Sequence, residues 1–329
     1  MIISKTPFRL SFFGGGTDYN SWFEEKGGLI IGTSFEQYNY ISLRKLPPFF
    51  EHKSRVVYSK TEAVAENYEI SHPAVRNCLK YVDLVEGVEI HYDGDLPARS
   101  GIGSSSSFTV GFLMALHGFK DKMVSKLELA KQAIYVEQTM NGENVGIQDQ
   151  ILTSYGGLNI IEMGPGNDFN VSPLILPNDY KSALESHVML AFSGITRFSS
   201  ESAGKQIEKI NNGHLNSQMS EIHCIAQEAL SLLKNKSDFK CIGRLFDNTW
   251  QIKKNLTSSM CNDEIDEIYH IAIKNGAYGG RLLGAGGGGF FMFFAPPERH
   301  QQIMGALSKV KVWVPFKFEN RGAHIILKD

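Results

Sequence analysis

Leu96-Pro97-Ala98-Arg99-Ser100-Gly101-Ile102-Gly103-Ser104-Ser105-Ser106-Ser107 is the stretch on which the reading of this chain turns. It follows Val88 to Tyr92, which alternates like a strand, and leads into a helical pattern from Ser104 to His117. Glycines permit tight curvature and close approach of backbone to a ligand. A helix start supplies unpaired N–H groups and the positive end of its dipole, so strand, loop and helix together make a phosphate cradle. The serine hydroxyls add donors for phosphate and oxygen ligands for Mg²⁺. The segment lacks the Gly-Lys-Ser/Thr ending of a Walker A loop and the third glycine of a dinucleotide-binding fingerprint. Taken alone, a serine-rich helix cap would read the same way.

Two further segments share its character. In Arg281-Leu282-Leu283-Gly284-Ala285-Gly286-Gly287-Gly288-Gly289-Phe290, four consecutive glycines precede an apolar strand running from Gly289 to Ala295. Each glycine weakens regular structure by about 0.5–1 kcal/mol, so close approach to a ligand is the use that explains the run. In Thr6-Pro7-Phe8-Arg9-Leu10-Ser11-Phe12-Phe13-Gly14-Gly15-Gly16-Thr17-Asp18-Tyr19, a strand arginine stands beside a glycine turn and an aspartate. That pair reads either as a charged-substrate site or as a surface ion pair.

Around these segments the pattern is α+β. Met1 to Phe13, Leu29 to Leu43, Val56 to Ser59, Gly157 to Met163, Val188 to Phe192, Val310 to Phe318 and Ala323 to Leu327 read as strands. His72 to Val85, Lys126 to Met140, Gly146 to Thr153, Ser202 to Leu233, Phe239 to Leu256, Asn262 to Lys274 and Glu298 to Ser308 read as helices. Strands and helices mix without strict alternation, which favours α+β over a doubly wound sheet. With 329 residues the chain has room for two domains. A change of pattern near residue 182 divides it into 1–182 and 183–329.

A net charge of −2 leaves no basic excess for a nucleic-acid backbone or a membrane surface. No stretch approaches the ~20 apolar residues of a membrane span. Cys78, Cys224, Cys241 and Cys261 are scattered, which argues against a disulfide framework or structural zinc and suits a reducing cytoplasm. The start, Met1 to Asp18, has no charged lead followed by an apolar core and cleavage site, so no secretory signal is expected.

The three glycine segments, in this order and spacing, resemble the GHMP kinases, named for galactokinase, homoserine kinase, mevalonate kinase and phosphomevalonate kinase. The central stretch is similar to the family's P-x-x-x-G-L-G-S-S-A, with Ile102 for Leu and Ser106 for Ala. Gly284-Ala285-Gly286-Gly287-Gly288-Gly289 is similar to its C-terminal G-A-G-x-G-G. The resemblance implies a ribosomal-protein-S5-like N-terminal domain, a ferredoxin-like C-terminal domain, and ATP with Mg²⁺ as cofactors. It implies Asp149 and Arg9 as catalytic residues. It places Pro97, Ser100, Gly101, Gly103, Ser104, Ser105, Ser106, Gly286 and Gly287 at ATP, and Ser105 and Glu137 at the metal. Asp18, with Gly15, Gly16 and Thr17, would hold the sugar. Without the resemblance, Glu137 on its amphipathic helix would read as solvated and Asp149 as a local backbone partner.

Gly14-Gly15-Gly16-Thr17-Asp18 departs from the galactokinase G-E-H-T-D and resembles the branch of heptose 7-phosphate kinases and fucokinase domains. That branch implies phosphorylation of an anomeric hydroxyl, in supply of surface polysaccharide. An acceptor already carrying phosphate calls for a second cationic cluster, with Arg197 first and Lys5 and Arg99 behind it. The expected partners are a sugar phosphate and ATP, and the expected state is a monomer or homodimer. Other family kinases acting on L-fucose, hexoses or isoprenoid precursors, or a silent sensor on the same fold, are the competing readings.

Overall fold

The computed structural model describes the chain except for Arg99, Asn167, residues 195–198 and 258–259, and Ala285, together with the side chains of residues 199–202. Two antiparallel strands, Ile2–Phe13 and Gly28–Lys45, form its spine. Phe8, Leu10 and Phe12 are buried among apolar residues. The two-residue period puts Arg9 and Ser11 on the opposite face, where a cavity lies.

Among the described residues the first sheet has nine strands and the second has four. The first runs His324–Lys328, Ile2–Phe13, Gly28–Lys45, Val88–Gly94, Ser54–Val57 and Thr61–Val64. Leu158–Gly164 and Phe318–Glu319 also pair with Gly28–Lys45, and Asp168–Pro173 adds outside the former. The second sheet runs Val312–Val314, Val188–Phe192, Phe290–Phe294 and Gly279–Leu282, all antiparallel. This is the expected mixture of strands and helices without strict alternation.

The two sheets share a core. Phe13 stacks on Phe246 at 4.3 Å, and Phe246 meets Phe294 of the second sheet at 5.2 Å. Aromatic contacts of this kind add about 0.5–1.5 kcal/mol to the burial of the rings. They fix the first strand, and with it Arg9, against the helix Phe239–Lys253.

Several expected elements change shape for identifiable reasons. The expected strand Val310 to Phe318 is two strands in different sheets, Val312–Val314 and Phe318–Glu319. Pro315 between them has no N–H to continue a ladder. The expected helix Ser202 to Leu233 is Ser199–Asn211 and Asn216–Lys234, parted where Gly213 takes φ 73°. Lys126 to Met140, read as one helix, is α-helical over Lys126–Ile134 and π-helical over Tyr135–Met140. The helix expected from His72 to Val85 is Pro73–Tyr81, with the His72 side chain capping its start. Asn20–Lys26 is a helix that the sequence reading passed over.

Candidate active site

A cavity of about 480 Å³ lies where the first strand, the glycine loop, the helix Gln148–Tyr155 and the end of Phe239–Lys253 meet. Of the residues expected at a site, Arg9, Gly15, Gly16, Asp18, Gly101, Gly103, Ser104, Ser105, Ser106 and Asp149 line it. The helix Ser104–Phe119 begins there behind Gly103 at φ 74°, with no side chain capping it. A sixteen-residue helix whose first N–H groups open onto a cavity is a site for phosphate oxygens.

Arg9 joins two parts of this site. Its Nε and one terminal nitrogen each donate to an Asp149 carboxylate oxygen at 2.6 Å, and the other terminal nitrogen donates to the Gly101 carbonyl at 2.8 Å. Asp149 sits in the first turn of Gln148–Tyr155, where the dipole favours a carboxylate. The fork-to-fork geometry fixes the carboxylate relative to the phosphate loop. The ion pair that the sequence left open between Arg9 and Asp18 is therefore made with Asp149.

Asp18 is buried and accepts from the Gly16 N–H at 2.8 Å and Gln148 Nε2 at 3.0 Å. Gly146 leaves it room, since a Cβ there would overlap the Asp18 carboxylate. Burial, then the Asp149 charge, raise its pKa above 3.8. An acid so raised is penalised only where it is ionised, so the penalty is absent below pH 3.8 and grows as pH rises. Asp18→Asn is expected to melt a few degrees above the wild type near neutral pH, with the gap closing as pH falls, while kcat/KM drops. Thermal melts across that range, paired with kinetics, check it.

Glu137 lies in the π-helical turn and is fully buried. Ser106 donates to it at 2.8 Å and Gln150 donates to the same oxygen, while Oε1 has no partner. Burial, then Glu143, push its carboxyl up to about 8. An orphaned buried carboxylate oxygen beside a phosphate cradle fits a hard divalent cation such as Mg²⁺. Ser106 is the serine on Glu137, while Ser105, the expected metal serine, is exposed at the cavity rim.

Other expected contacts lie behind the cavity wall. Thr17 Oγ1 bonds the Gly14 carbonyl and Leu29, and Ser100 Oγ bonds the Pro97 carbonyl, so both hold backbone. Gly286 and Gly287 pack on Met260, while Gly284 faces the cavity. Lys5 covers the Tyr38 ring away from the site. Arg99 and Arg197 lie outside the described residues, as does Ala285.

The two glycine segments touch each other. A Cβ on Gly284 would stand 2.6 Å from the Gly101 Cα, and one on Gly289 2.8 Å from the Ser100 carbonyl carbon. The Phe290 N–H donates to the Ser100 carbonyl at 2.9 Å. Their glycines serve this backbone seam as well as any ligand.

Sequence reasoning missed Ser11, Glu143, Gln148, Gln206, Lys253 and Arg281, which also line the cavity. Ser11 and Arg281 stood inside quoted segments, and Gln148 inside the expected helix from Gly146 to Thr153. Lys253 gave no local signal, because only the fold carries the end of its helix to the first strand.

Residues 67–157 match the profile of the GHMP kinases N terminal domain, and residues 227–311 that of the GHMP kinases C terminal domain. The chain belongs to the GHMP kinases and is a phosphotransferase of that family. It is 29% identical to the D-glycero-alpha-D-manno-heptose 7-phosphate kinase of Campylobacter jejuni, over 98% of this chain and 97% of that one. A crystal structure of a D-glycero-D-manno-heptose 1-phosphate kinase from Bacteroides thetaiotaomicron superposes with a TM-score of 0.81 at 22% identity, covering 100% of both chains. Methanococcus jannaschii mevalonate kinase gives 0.73 at 21%, over 96% of this chain and 98% of that one. These two likenesses establish the two-domain fold. No helix among the described residues is long and apolar enough to cross a membrane.

Proposed function

We propose that the protein transfers the γ-phosphoryl group of ATP to the anomeric hydroxyl of D-glycero-D-manno-heptose 7-phosphate, giving the 1,7-bisphosphate for surface polysaccharide precursors in the cytoplasm. The observation that carries this reading is likeness along almost the whole chain to a heptose 7-phosphate kinase, joined to a cavity holding the Arg9–Asp149 pair beside an open helix N-terminus. In this reading residues 1–182 carry the phosphate loop and catalytic pair, and residues 183–329 supply the glycine turn and the far cavity wall.

The chemistry assigned to each group follows from its place. Asp149 orients the attacking hydroxyl and takes its proton as the new O–P bond forms and the bond to the ADP oxygen breaks. Arg9 holds Asp149 in register with the phosphate loop and offsets charge on the transferring group. The N–H groups at Ser104–Ser106 bind phosphate oxygens, and Asp18 accepts from sugar hydroxyls. Mg²⁺, when bound, neutralises phosphate charge, and Glu137 with the Ser105–Ser106 hydroxyls would hold it.

A second reading, an L-fucose kinase, is favoured by 25% identity to the bifunctional fucokinase/GDP-fucose pyrophosphorylase of Arabidopsis thaliana, across 86% of this chain and 28% of that one. The test is ADP release with ATP, Mg²⁺ and a sugar panel, with products identified by ³¹P NMR. A new anomeric phosphate from heptose 7-phosphate is the expected result. Turnover of L-fucose in its place would overturn the heptose assignment, and no turnover with any sugar would overturn the kinase assignment.

A further inference from the structure

Two cations in the cavity wall form no salt bridge among the described residues, although the charge of the Asp18 carboxylate reaches Lys253. Lys253 and Arg281 are buried, at 8% and 3% exposure, and both line the cavity. Neither forms an ion pair among the described residues. Arg281 donates one terminal nitrogen to the Ser11 carbonyl and leaves its Nε unpartnered. Lys253 Nζ makes no hydrogen bond among the described residues. The cavity's carboxylates are engaged elsewhere: Asp149 by Arg9, Asp18 by Gly16 and Gln148, and Glu143 by Asn141.

Two unpaired donors, Lys253 Nζ and Ser11 Oγ, meet at one place beside Gln148, and Arg281 joins it through the Ser11 carbonyl. A methyl group on Gly15 would lie 3.1 Å from Lys253 Nζ, 3.3 Å from Ser11 Oγ and 3.6 Å from Gln148 Nε2. Ser11 Oγ is itself buried without a partner. Gly15 lies in the turn closed by the Thr17 N–H on the Gly14 carbonyl, but it has no positive φ that would require glycine there, and its missing side chain opens this space. Buried unpaired charge is costly, and a bound anion offsets it.

We propose that Lys253, Arg281 and Ser11 form an anion subsite at Gly15 that takes the phosphate monoester carried by the acceptor, separate from the subsite for the transferring phosphoryl at the glycine loop. This rests on the reading of the acceptor as a sugar phosphate. Burial, reinforced by Arg281, already holds the Lys253 ammonium well below its usual range, and a dianion beside it restores the charged form. The nucleotide is the other source of phosphate in the cavity, and the test separates the two.

The experiment measures kcat/KM for D-glycero-D-manno-heptose 7-phosphate and for the same heptose without phosphate, and takes their ratio. In Lys253→Met the ratio is expected to fall about tenfold to a hundredfold, the scale of one lost charged hydrogen bond, and Lys253→Arg restores most of it. Gly15→Ala, which fills the space without removing a charge or straining backbone, lowers the ratio in the same direction. Melting curves establish that the variants fold. A high wild-type ratio unchanged in both Lys253→Met and Gly15→Ala overturns the subsite and leaves the acceptor assignment standing. A raised KM for ATP with the ratio unchanged assigns Lys253 to the nucleotide and likewise overturns it. A wild-type ratio near one overturns the phosphorylated-acceptor reading and the subsite with it. If neither heptose is turned over, inorganic phosphate binding measured by calorimetry decides: loss in Lys253→Met supports the subsite, and equal binding overturns it.

Discussion

Asp149→Asn is expected to lower kcat by about 10³-fold, the middle of the range for a positioned proton acceptor, while ATP still binds. The amide keeps the size of the carboxylate and loses its capacity to take a proton. Both Asp149 oxygens accept from Arg9, so the amide also turns one donor toward the guanidinium. Arg9 then keeps the Gly101 carbonyl as its remaining tie. Part of the loss therefore comes through misplacement, and Arg9→Lys, which keeps charge and drops the fork, separates the shares. A double-mutant cycle should be strongly non-additive, because the two residues act as a unit. Rapid-quench turnover and nucleotide binding measured on the same preparations check the prediction. Near-normal kcat in Asp149→Asn would remove it from the catalytic step.

Gly101→Ala is the second large effect, and it acts on stability and activity together. Gly101 has φ 85°, and a Cβ there would lie 2.8 Å from the Leu283 carbonyl carbon. Left-handed strain and a backbone clash each cost about 1–3 kcal/mol. Since the obstruction is main chain, no rotamer relieves it. The expected cost is about 3–4 kcal/mol in denaturant unfolding, accompanied by a raised KM for ATP. Gly166→Ala is the control: its φ is 80°, yet nothing lies within 4 Å of a Cβ there, so it should lose only about 1 kcal/mol. Equal costs at the two positions would mean that the contact between glycine segments does not constrain the fold.

The glycine segments were legible because they are local, whereas the roles of Asp18 and Asp149 were read through the family resemblance. Gly101, Gly103 to Ser106, Asp18 and Asp149 each stood in a short segment, and the structure places them around one cavity. What escaped depends on contacts remote in sequence. Lys253 gains its setting when its helix ends at the first strand. The pairing of His324–Lys328 with Ile2–Lys5 has no local signature either. Glu137 was legible as a residue but not in its setting, because an apolar period cannot distinguish an α-turn from the π-turn that carries it inward. Gly286 and Gly287, expected at ATP, also lie against Met260, a neighbour that the glycine run alone does not announce.

The fit between the glycine loop and the glycine turn is made by main chain against main chain, with glycine on both sides at Gly101 and Gly284 and on one side where Gly289 meets Ser100. Such a join stores no sequence memory. A packed core records in each side chain the shape of its neighbour, so that exchanging one wall spoils the other. Here either wall could come from any relative that keeps glycine at the same points, since all backbones have the same shape. Chimeras that swap one segment between relatives should inherit a working loop, and their failures should trace to the Phe13–Phe246–Phe294 contacts.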